Sequence, residues 1–481
     1  MSGFRATPRT PPPGKELQAA IGTAPQLHYN GAMVDFHDRG PDTEGLPAQI
    51  GKYKVRSRIG HGATSEVFLA HDAFMGVDVA VKRLRRGVLG TAREANVQQH
   101  FFAAEAALVG RLLHPNITRI YDAVADGDPP YVVMEYVPGG TLRRFCEPDA
   151  LLPLEQAIEV GFKCAMALDY VYRQGVIHRD IKPANILTRM DGDKLVDVKI
   201  TDFGSALHNA NELTQIYRVG SLAYMSPEQL DGDALDCRAD IYALAAMLYH
   251  LIAGRPPFEG QQQQVVMNQI FHCSPLPLRS LRDGVSAKLD DLILAAMAKS
   301  RDDRPVNWVE FAGRLSAVVA DPQLPRSAQQ AVFDSERFNL LRRLDFFTGF
   351  GDVELWEVVH RATWQRFEAG HVIYRKDEEG DTFHILASGE LEVWRDGERI
   401  AALGAGSSVG EMAYLAPSSE LKRHSVDVRV SRQATTVAFA PQAIGQLSVA
   451  TQHLFDKAFN RVLVRRLHAA HEALYHPRRV L

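Results

Sequence analysis

The fold is decided near the middle of the chain by the stretch His178-Arg179-Asp180-Ile181-Lys182-Pro183-Ala184-Asn185-Ile186-Leu187. It places an aspartate, a lysine and an asparagine in one short loop. Asp202-Phe203-Gly204 follows 22 residues after Asp180, and Ser226-Pro227-Glu228 comes later. Each of these motifs has an ordinary structural explanation when it stands alone, since a sequence such as Asp-Phe-Gly is usually a turn. Their meaning therefore depends on what else the chain carries in the same order.

Upstream of this stretch, a turn with two glycines joins two strand-like runs: Gly60-His61-Gly62-Ala63-Thr64-Ser65-Glu66-Val67. Glycines let backbone N–H groups approach phosphates without a clash from Cβ, although such a turn is more often a simple hairpin. The next strand ends in Val79-Ala80-Val81-Lys82. Lys82 is either the solvated end of a buried strand or a cation for phosphates. In the second case Glu105 is the best candidate for the carboxylate that holds it, ahead of Glu94.

Taken together and in this order, over about 270 residues, the motifs resemble the eukaryotic-type (bacterial) serine/threonine protein kinase family. The resemblance implies an α+β, bilobal fold, with a small β-rich lobe and a larger helical lobe. It also implies transfer of the γ-phosphate of ATP to protein hydroxyls. Lys182 is similar to the lysine that serine/threonine kinases place beside the transferred phosphate, so we expect serine or threonine substrates.

The same resemblance implies a role for each residue of the active site. Asp180 accepts the proton of the substrate hydroxyl, while Asn185 and Asp202 hold Mg²⁺, with Mn²⁺ as an alternative. Lys82 binds the α- and β-phosphates, and Glu105 orients Lys82. The residues implied in catalysis are Lys82, Glu105, Asp180, Lys182 and Asn185. The residues implied in binding ATP are Gly60, Gly62, Ser65, Val67, Ala80, Lys82, the gatekeeper-like Met134, the hinge-like Glu135 and Val137, and Asp202.

Three further residues match supporting positions of the family. Glu228 and Arg304 match an ion pair that supports the substrate loop, and Asp240 matches a buried aspartate that braces the catalytic loop. The resemblance therefore gives these three residues a structural role.

Regulation is implied by Arg179, which stands beside Asp180, because an arginine there can pair with a phosphate on the activation loop (205–226). Thr214 is the first candidate for the phosphorylated residue, and Tyr217 is a weaker one. Ser221 matches a threonine that contacts the substrate loop, which favours a structural role for it.

The chain changes character after residue 335. A helical stretch leads into strand-like runs that are separated by turns rich in glycine and aspartate. This spacing predicts an antiparallel β-barrel or jelly roll, closed by a helical tail over 441–473. The predicted strands are 370–374, 382–386, 390–394, 426–430 and 435–439.

Segments of this second region resemble the cyclic nucleotide-binding domain family, above all Val409-Gly410-Glu411-Met412-Ala413-Tyr414-Leu415, which is similar to the family's phosphate-binding cassette. Gly380-Asp381-Thr382-Phe383 and Ser388-Gly389-Glu390-Leu391-Glu392-Val393 also carry the resemblance. It implies that Glu411 takes the ribose 2′-hydroxyl and that nearby backbone N–H groups face the cyclic phosphate. The candidate cyclic-nucleotide site consists of Gly410, Glu411, Met412, Ala413 and Arg423.

The family also requires an arginine that neutralises the phosphate, and two candidates remain. We favour Arg423, because Arg432 lies one predicted strand too late. The small residues usual after this arginine are replaced here by His424-Ser425, which leaves the identity of the ligand open.

Composition bounds the remaining possibilities. The chain has 481 residues, with 54 Lys and Arg against 58 Asp and Glu, a balance that argues against a strongly basic nucleic-acid binder. Four cysteines lie far apart and form no Cys-x-x-Cys pair, which fits a reducing compartment. The sequence shows no membrane-spanning run and no export signal, so we expect a cytoplasmic protein.

The predicted organisation is therefore multidomain, with regulation in cis: the barrel biases the kinase in response to a cyclic nucleotide such as cAMP or cGMP. Protein substrates are expected, and a protein phosphatase is a candidate partner. Two alternatives remain: the barrel binds another ligand or only docks partners, or the whole chain is a nearly inert scaffold. The predicted segments are a disordered Pro-rich leader (1–50), a protein kinase domain (51–318), a linker (319–334), a cyclic nucleotide-binding-like domain (335–475) and a tail (476–481).

Overall fold

A computed structural model describes residues 35–36, 45–61, 65–85, 106–108, 110–125, 127–205, 219–319, 333–416 and 422–475. Within these ranges the chain forms a small β-rich lobe, a larger helical lobe, and then a β-barrel with helices before and after it. The bilobal fold followed by a barrel is the architecture that the sequence predicts, and it is confirmed. Most of the predicted leader and linker, and all of the predicted tail, lie outside the described residues.

The small lobe is an antiparallel sheet. Its strands are β1 (Asp35–Phe36), β2 (Gln49–Ile50), β3 (Tyr53–His61), β4 (Ser65–Asp72), β5 (Val77–Leu84), β6 (Ile120–Val124) and β7 (Tyr131–Glu135). They lie in the order β1-β3-β4-β5-β7-β6, with β2 paired to β3. Side chains alternate between the two faces of a strand, so Val79 and Val81 are buried on one face while Ala80 joins the core toward the large lobe. By the same alternation Lys82 leaves β5 on the face of Ala80.

The large lobe is built around two buried helices. Its elements are α1 (Leu154–Arg173), the hairpin β8 (Ile186–Asp191) and β9 (Lys194–Ile200), α2 (Val219–Leu222), α3 (Pro227–Asp231), α4 (Cys237–Ala253), α5 (Gln263–His272), α6 (Ala287–Ala296) and α7 (Trp308–Val319). Helix α4 begins where the Asp236 carboxylate accepts the Arg238 N–H at 2.8 Å, and it ends at Gly254, whose φ is +71°. Its almost wholly apolar sequence fits its burial in the lobe.

The β8–β9 hairpin sets the position of the loop that decides the fold. Ile186 at the start of β8 pairs with Ile200 at the end of β9. The residues just before β8 and just after β9 therefore lie side by side, and the Thr201 N–H donates to the Asn185 carbonyl at 2.9 Å. This pairing brings Asn185 and Asp202 to the same edge of the cleft between the lobes.

The barrel is made from two long bent strands and four short ones. Its elements are α8 (Asp334–Arg342), α9 (Asp352–Arg361), β10 (Thr363–Phe367), β11 (Val372–Tyr374), β12 (Phe383–Arg395), β13 (Glu398–Leu403), β14 (Ser408–Val409), α10 (Glu411–Tyr414), β15 (Asp427–Phe439), α11 (Pro441–Gly445) and α12 (Val449–Tyr475). Strands follow the order β10-β15-β12-β13, while β11 pairs with β15 and β14 with β12.

The sequence predicts two strands where the structure has the single strand β12, and again where it has β15. The turn-like Ser388-Gly389 is a bend inside β12, with register shifts on both sides. Gly389 has φ +95°, and a Cβ there would lie 2.3 Å from the Gln433 carbonyl oxygen of β15. The glycine thus permits a close crossing of the two strands instead of ending one of them.

Among the helices in the described part of the chain, none combines the length and the apolar character that crossing a bilayer requires.

Candidate functional site

The side chains of the 178–187 loop converge on the Asp180 carboxylate. Lys182 Nζ lies 2.8 and 2.7 Å from its two oxygens. Asn185 Nδ2 donates to the Asp180 carbonyl at 2.8 Å and to its carboxylate at 2.9 Å. A 3₁₀ turn over Pro183–Asn185 brings the asparagine back toward the aspartate. The structure therefore gathers the three residues that the sequence singled out.

Asp240 of α4 holds the backbone of the same loop. Its carboxylate accepts the His178 N–H at 2.7 Å and the Arg179 N–H at 2.8 Å. Arg179 has φ +66°, in a left-handed region that costs a non-glycine residue about 1 kcal/mol. Burial raises the pKa of Asp240, and the two N–H donors stabilise its charged form. Asp240 thus offsets the strain that the loop requires.

Lys82 and Asp202 meet across the cleft. Lys82 Nζ donates to Asp202 Oδ1 at 2.7 Å, and Asp202 has φ +69°. Burial alone would raise the pKa of the Asp202 carboxyl, but the Lys82 ammonium holds it below its usual range. Asp202 is therefore a carboxylate, and Lys82 of β5 reaches the second residue after β9.

The walls of the cleft are apolar. Val67 and Ala80 are buried on the small-lobe side, and Met134 of β7 packs with them. The Thr201 hydroxyl donates to the Met134 sulfur at 3.9 Å. Glu135 and Val137 lie at the point where β7 leaves the sheet toward the large lobe, while Gly60 and Ser65 lie in β3 and β4 on either side of the turn. An apolar slot with a polar edge suits a flat heteroaromatic ring.

The oxygen donors at the cleft edge fit Mg²⁺. The Asn185 amide nitrogen donates to Asp180, which leaves the carbonyl Oδ1 as the atom that Asn185 would offer to a metal together with the Asp202 carboxylate. Mg²⁺ prefers hard oxygen ligands and is commonly held by one or two protein groups plus substrate phosphates. In the described part of the chain, no cluster of three or more His, Cys, Asp or Glu side chains could hold a resident metal by itself.

Glu228 and Arg304 form a bidentate ion pair inside the large lobe. Arg304 Nη1 and Nη2 donate to the two Glu228 oxygens at 2.6 and 2.8 Å. Burial would raise the pKa of Glu228, but the Arg304 guanidinium lowers it below its usual value. Beside this pair, Gln229 Nε2 donates to the Arg179 carbonyl at 2.7 Å, which joins α3 to the 178–187 loop. Ser221 accepts from Lys182 Nζ at 3.4 Å.

In the barrel, the cassette residue Glu411 is buried at the start of α10. It forms an ion pair with Arg466 of α12, and Arg466 Nη2 also donates to the Ser408 carbonyl at 2.6 Å. Burial raises the pKa of Glu411, which Arg466 opposes. Gly410 has φ +83°, and a Cβ there would lie 2.5 Å from the Tyr374 hydroxyl. The terminal helix thus closes directly onto the cassette, while Met412 is exposed and Ala413 is buried.

Arg423 is exposed, and its side chain bonds a residue outside the cassette (409–415). Its Nη1 donates to the Asp377 carbonyl at 2.6 Å, and its backbone pairs with Glu379 before β15 begins. The next residue, His424, is buried and stacks on Tyr374 with ring centroids 3.9 Å apart. Both polar side chains expected to hold a cyclic nucleotide therefore already have partners within the chain.

With this geometry described, comparison with known proteins identifies the family. The model of the protein kinase domain matches residues 53–310, more than half of the chain. The chain belongs to the protein kinase family. The model of the cyclic nucleotide-binding domain matches residues 364–449, so the barrel is a domain of that kind.

Its relatives include bacterial kinases. The chain is 36% identical over 297 residues to serine/threonine-protein kinase PknB of Mycobacterium leprae, which covers 60% of this chain and 46% of that protein. It is 37% identical over 298 residues to PknB of Mycobacterium tuberculosis, with the same two shares. The chain thus spans under half the length of the curated relatives it matches.

Several predicted kinase residues lie outside the described residues: Gly62, Glu105, Thr214 and Tyr217. Two residues that contact the sites were not found from the sequence. Gln229 follows Glu228 without any pattern that predicts its bond to the 178–187 loop. Arg466 is one of several basic residues on α12, and helical periodicity alone does not indicate which of them reaches the cassette.

Proposed function

We propose that this protein is a serine/threonine protein kinase that transfers the γ-phosphate of ATP to protein hydroxyls. The observation that carries the proposal is the Lys182–Asp180–Asn185 network, with Asp202 beside it and Lys82 reaching Asp202 from the other side of the cleft. Phosphoryl transfer requires mainly positioned groups and neutralised charge, and this arrangement supplies both. The serine/threonine kinases to which the chain is similar favour the same substrate class.

Each residue has a part in the proposed reaction. The Asp180 carboxylate orients the substrate hydroxyl and accepts its proton, while the Lys182 ammonium bound to it balances charge beside the transferred group. When ATP binds, Lys82 leaves Asp202 and contacts the α- and β-phosphates. The hinge residues Glu135 and Val137 bind adenine. Asn185 and Asp202 would hold Mg²⁺, which neutralises phosphate charge when it is bound.

The test is phosphate incorporation by the full chain with Mg-ATP, followed by intact mass, with a generic protein substrate in parallel. We expect wild type to gain phosphate and Asp202→Ala and Asp180→Asn to gain none. Asp303→Asn, which changes an exposed carboxylate outside the proposed active-site residues, serves as the control. A wild-type chain that binds Mg-ATP but transfers no phosphate would favour the scaffold alternative.

We further propose that the barrel regulates the kinase in cis. A cyclic nucleotide is the first candidate effector, since Glu411 of the cassette is buried with a partner on the terminal helix that a ribose could replace. The exposed Arg423 argues for the alternative, in which the barrel takes another ligand or only docks partners. Titration with cAMP and cGMP, read by both binding and kinase rate, separates the two: binding with a changed rate supports the first, and no binding of either nucleotide supports the second.

The identity of the protein substrates, a protein phosphatase as partner and a cytoplasmic location stay predictions from the sequence. Arg179 suggests regulation by phosphorylation of the activation loop, with Thr214 as the first candidate residue. Phosphosite mapping of the autophosphorylated chain tests the choice of Thr214.

A further inference from the structure

The helices that precede the barrel pack directly against α1 of the kinase large lobe. Phe162 of α1 contacts Phe338 of α8 and Trp356 of α9, with ring centroids 6.3 and 6.2 Å apart. Phe338 and Trp356 stack on each other at 4.9 Å, and all three side chains are fully buried. The kinase and the barrel therefore share one apolar core rather than a solvated contact.

A buried charge lies at one end of this interface. The Lys163 side chain is only 4% exposed, and its Nζ lies 2.9 Å from Asp334 of α8 and 3.1 Å from Asp197 of β9. A buried ammonium requires paired and hydrogen-bonded partners. Here one hydrogen-bonded carboxylate comes from the barrel side and the other from the kinase hairpin, so both domains contribute to neutralising the Lys163 ammonium.

Asp197 also contacts the loop before β6. The Asn116 amide, which is fully buried, donates to the Asp197 carboxylate at 2.9 Å and to the Val198 carbonyl at 2.8 Å. Backbone bonds continue the connection: the Ile200 N–H donates to the Asn116 carbonyl at 2.8 Å, and the Thr118 N–H donates to the Ile200 carbonyl at 2.9 Å. The loop and strand β9 are thus fastened together at the position where the charged contact ends.

Strand β9 connects this point to the active site. Asp197 lies in β9 three residues before its end at Ile200, and Asp202 follows two residues after that end. Asp202 is the residue that Lys82 contacts. A strand bonded on both sides transmits a shift at one end to the other more readily than a loop does, because packed elements have few alternative arrangements.

We propose that the barrel positions the Mg-ATP site through a connected set of four residues, which we call the charge joint: Asp334, Lys163, Asp197 and Asn116. The inference deepens the proposed regulation in cis and rests on the proposed kinase function. The four are positioning residues: they act on ATP through β9 and Asp202. An effector that moves α8 would change the contact of Lys163 with Asp334 and, through Asp197, the placement of β9.

The interface offers a matched control. At the far end of α1, Arg173 pairs with Asp352 of α9 at 3.4 Å and with Asp169 at 2.5 Å. Asp352, like Asp334, is an aspartate on a helix of the barrel that pairs with a cation of α1. Arg173 lies ten residues from Lys163, about 15 Å along the helix, and neither of its partners is on β9. Loss of either aspartate weakens the contact between the domains. Only loss of Asp334 changes the connection through Lys163 and Asp197 to β9.

The experiment compares full-length wild type, Asp334→Asn and Asp352→Asn, each without effector. Hydrogen exchange of the Thr118 and Ile200 amides reports on the charge joint, and the Kd for Mg-ATP reports on the site. We expect Asp334→Asn to speed exchange of these two amides about tenfold and to weaken Mg-ATP binding about threefold or more. Asp352→Asn should leave both within about twofold of wild type.

Equal effects of the two variants on amide exchange and Mg-ATP binding, or no effect of Asp334→Asn, would overturn the charge joint. The contact would then only hold the two domains together. If Asp334→Asn does not fold, Asp334→Glu, which keeps the charge but changes its reach, should show the same effects at smaller size; a wild-type profile from it overturns the proposal. These readouts do not depend on phosphoryl transfer, so a wild type that binds Mg-ATP without transferring phosphate contradicts the proposed function and not the joint.

Discussion

At the scale of single residues, the kinase site is a set of charges that hold one another. Lys182 contacts both oxygens of Asp180 and reaches Ser221 as well, so it fixes the proposed catalytic carboxylate and links it to the segment before α3. Asn185 occupies the other side of Asp180. Removal of one member should therefore affect the reaction more than the binding of ATP.

We predict that Lys182→Ala lowers kcat about 100-fold or more, the typical cost of losing one preorganised electrostatic group, while the KM for ATP changes little. Steady-state kinetics with a protein substrate measures both. Lys288→Ala, which removes an exposed lysine at the start of α6, is the control and should behave as wild type. A rise in KM for ATP with unchanged kcat would place Lys182 in nucleotide binding instead.

A second prediction concerns the Glu228–Arg304 pair. Glu228→Gln leaves Arg304 buried without its charge partner, which costs about 3 kcal/mol of stability. Because the pKa of Glu228 lies below its usual 4.5 in the folded state, the contribution is present above about pH 4.5 and is lost as pH falls through the lowered value. Thermal unfolding of wild type and variant should therefore differ at pH 7 and converge in acid. Glu310→Gln, in a half-exposed pair with Arg314, should change little.

At the scale of elements, helix α12 decides the state of the cassette. It carries Arg466, which forms an ion pair with Glu411. Its side chains Phe455 and Phe459 pack against Phe383 of β12. The helix is therefore anchored by the barrel core at one end and by the cassette further along. Any ligand that uses Glu411 has to compete with the helix.

We predict that Arg466→Ala strengthens cAMP or cGMP binding severalfold, because the ligand no longer displaces an intramolecular partner. Isothermal titration measures the Kd. Arg465→Ala is the control, since Arg465 is exposed and pairs only at 3.8 Å with Asp345. Loss of binding in Arg466→Ala alone would show instead that Arg466 belongs to the ligand site.

At the scale of the whole molecule, the shared core of α1, α8 and α9 makes the kinase lobe and the barrel one cooperative unit. We predict that full-length protein unfolds in one thermal transition, and that Phe338→Ala lowers its midpoint and separates it into two. The lost burial and cavity cost about 3 kcal/mol or more. Scanning calorimetry provides the measurement, and Phe271→Ala, a partly exposed residue of α5, is the control. Two transitions already in wild type would contradict the shared core.

The amino-acid sequence by itself determined the order of the domains, the family-specific residues of the kinase cleft and the strand-rich character of the second domain. Those features are local: the spacing of Asp180, Lys182 and Asn185 in one loop is fixed by chain connectivity, as is the alternation that puts Lys82 on the face of Ala80. Gly389 shows the limit of such reasoning, because a glycine that looks like a turn permits a close strand crossing within β12.

Only the tertiary structure decided which distant charges meet. Lys163 and Asp334 are separated by 171 residues, and Glu411 and Arg466 by 55, and no local pattern encodes either pair. Their meeting depends on how whole helices pack, and ion pairs between exposed-looking residues carry no periodic signal in sequence. The same reason applies to Arg423: its place before β15 follows from the sequence, but its contact with the Asp377 carbonyl, 46 residues away along the chain, does not.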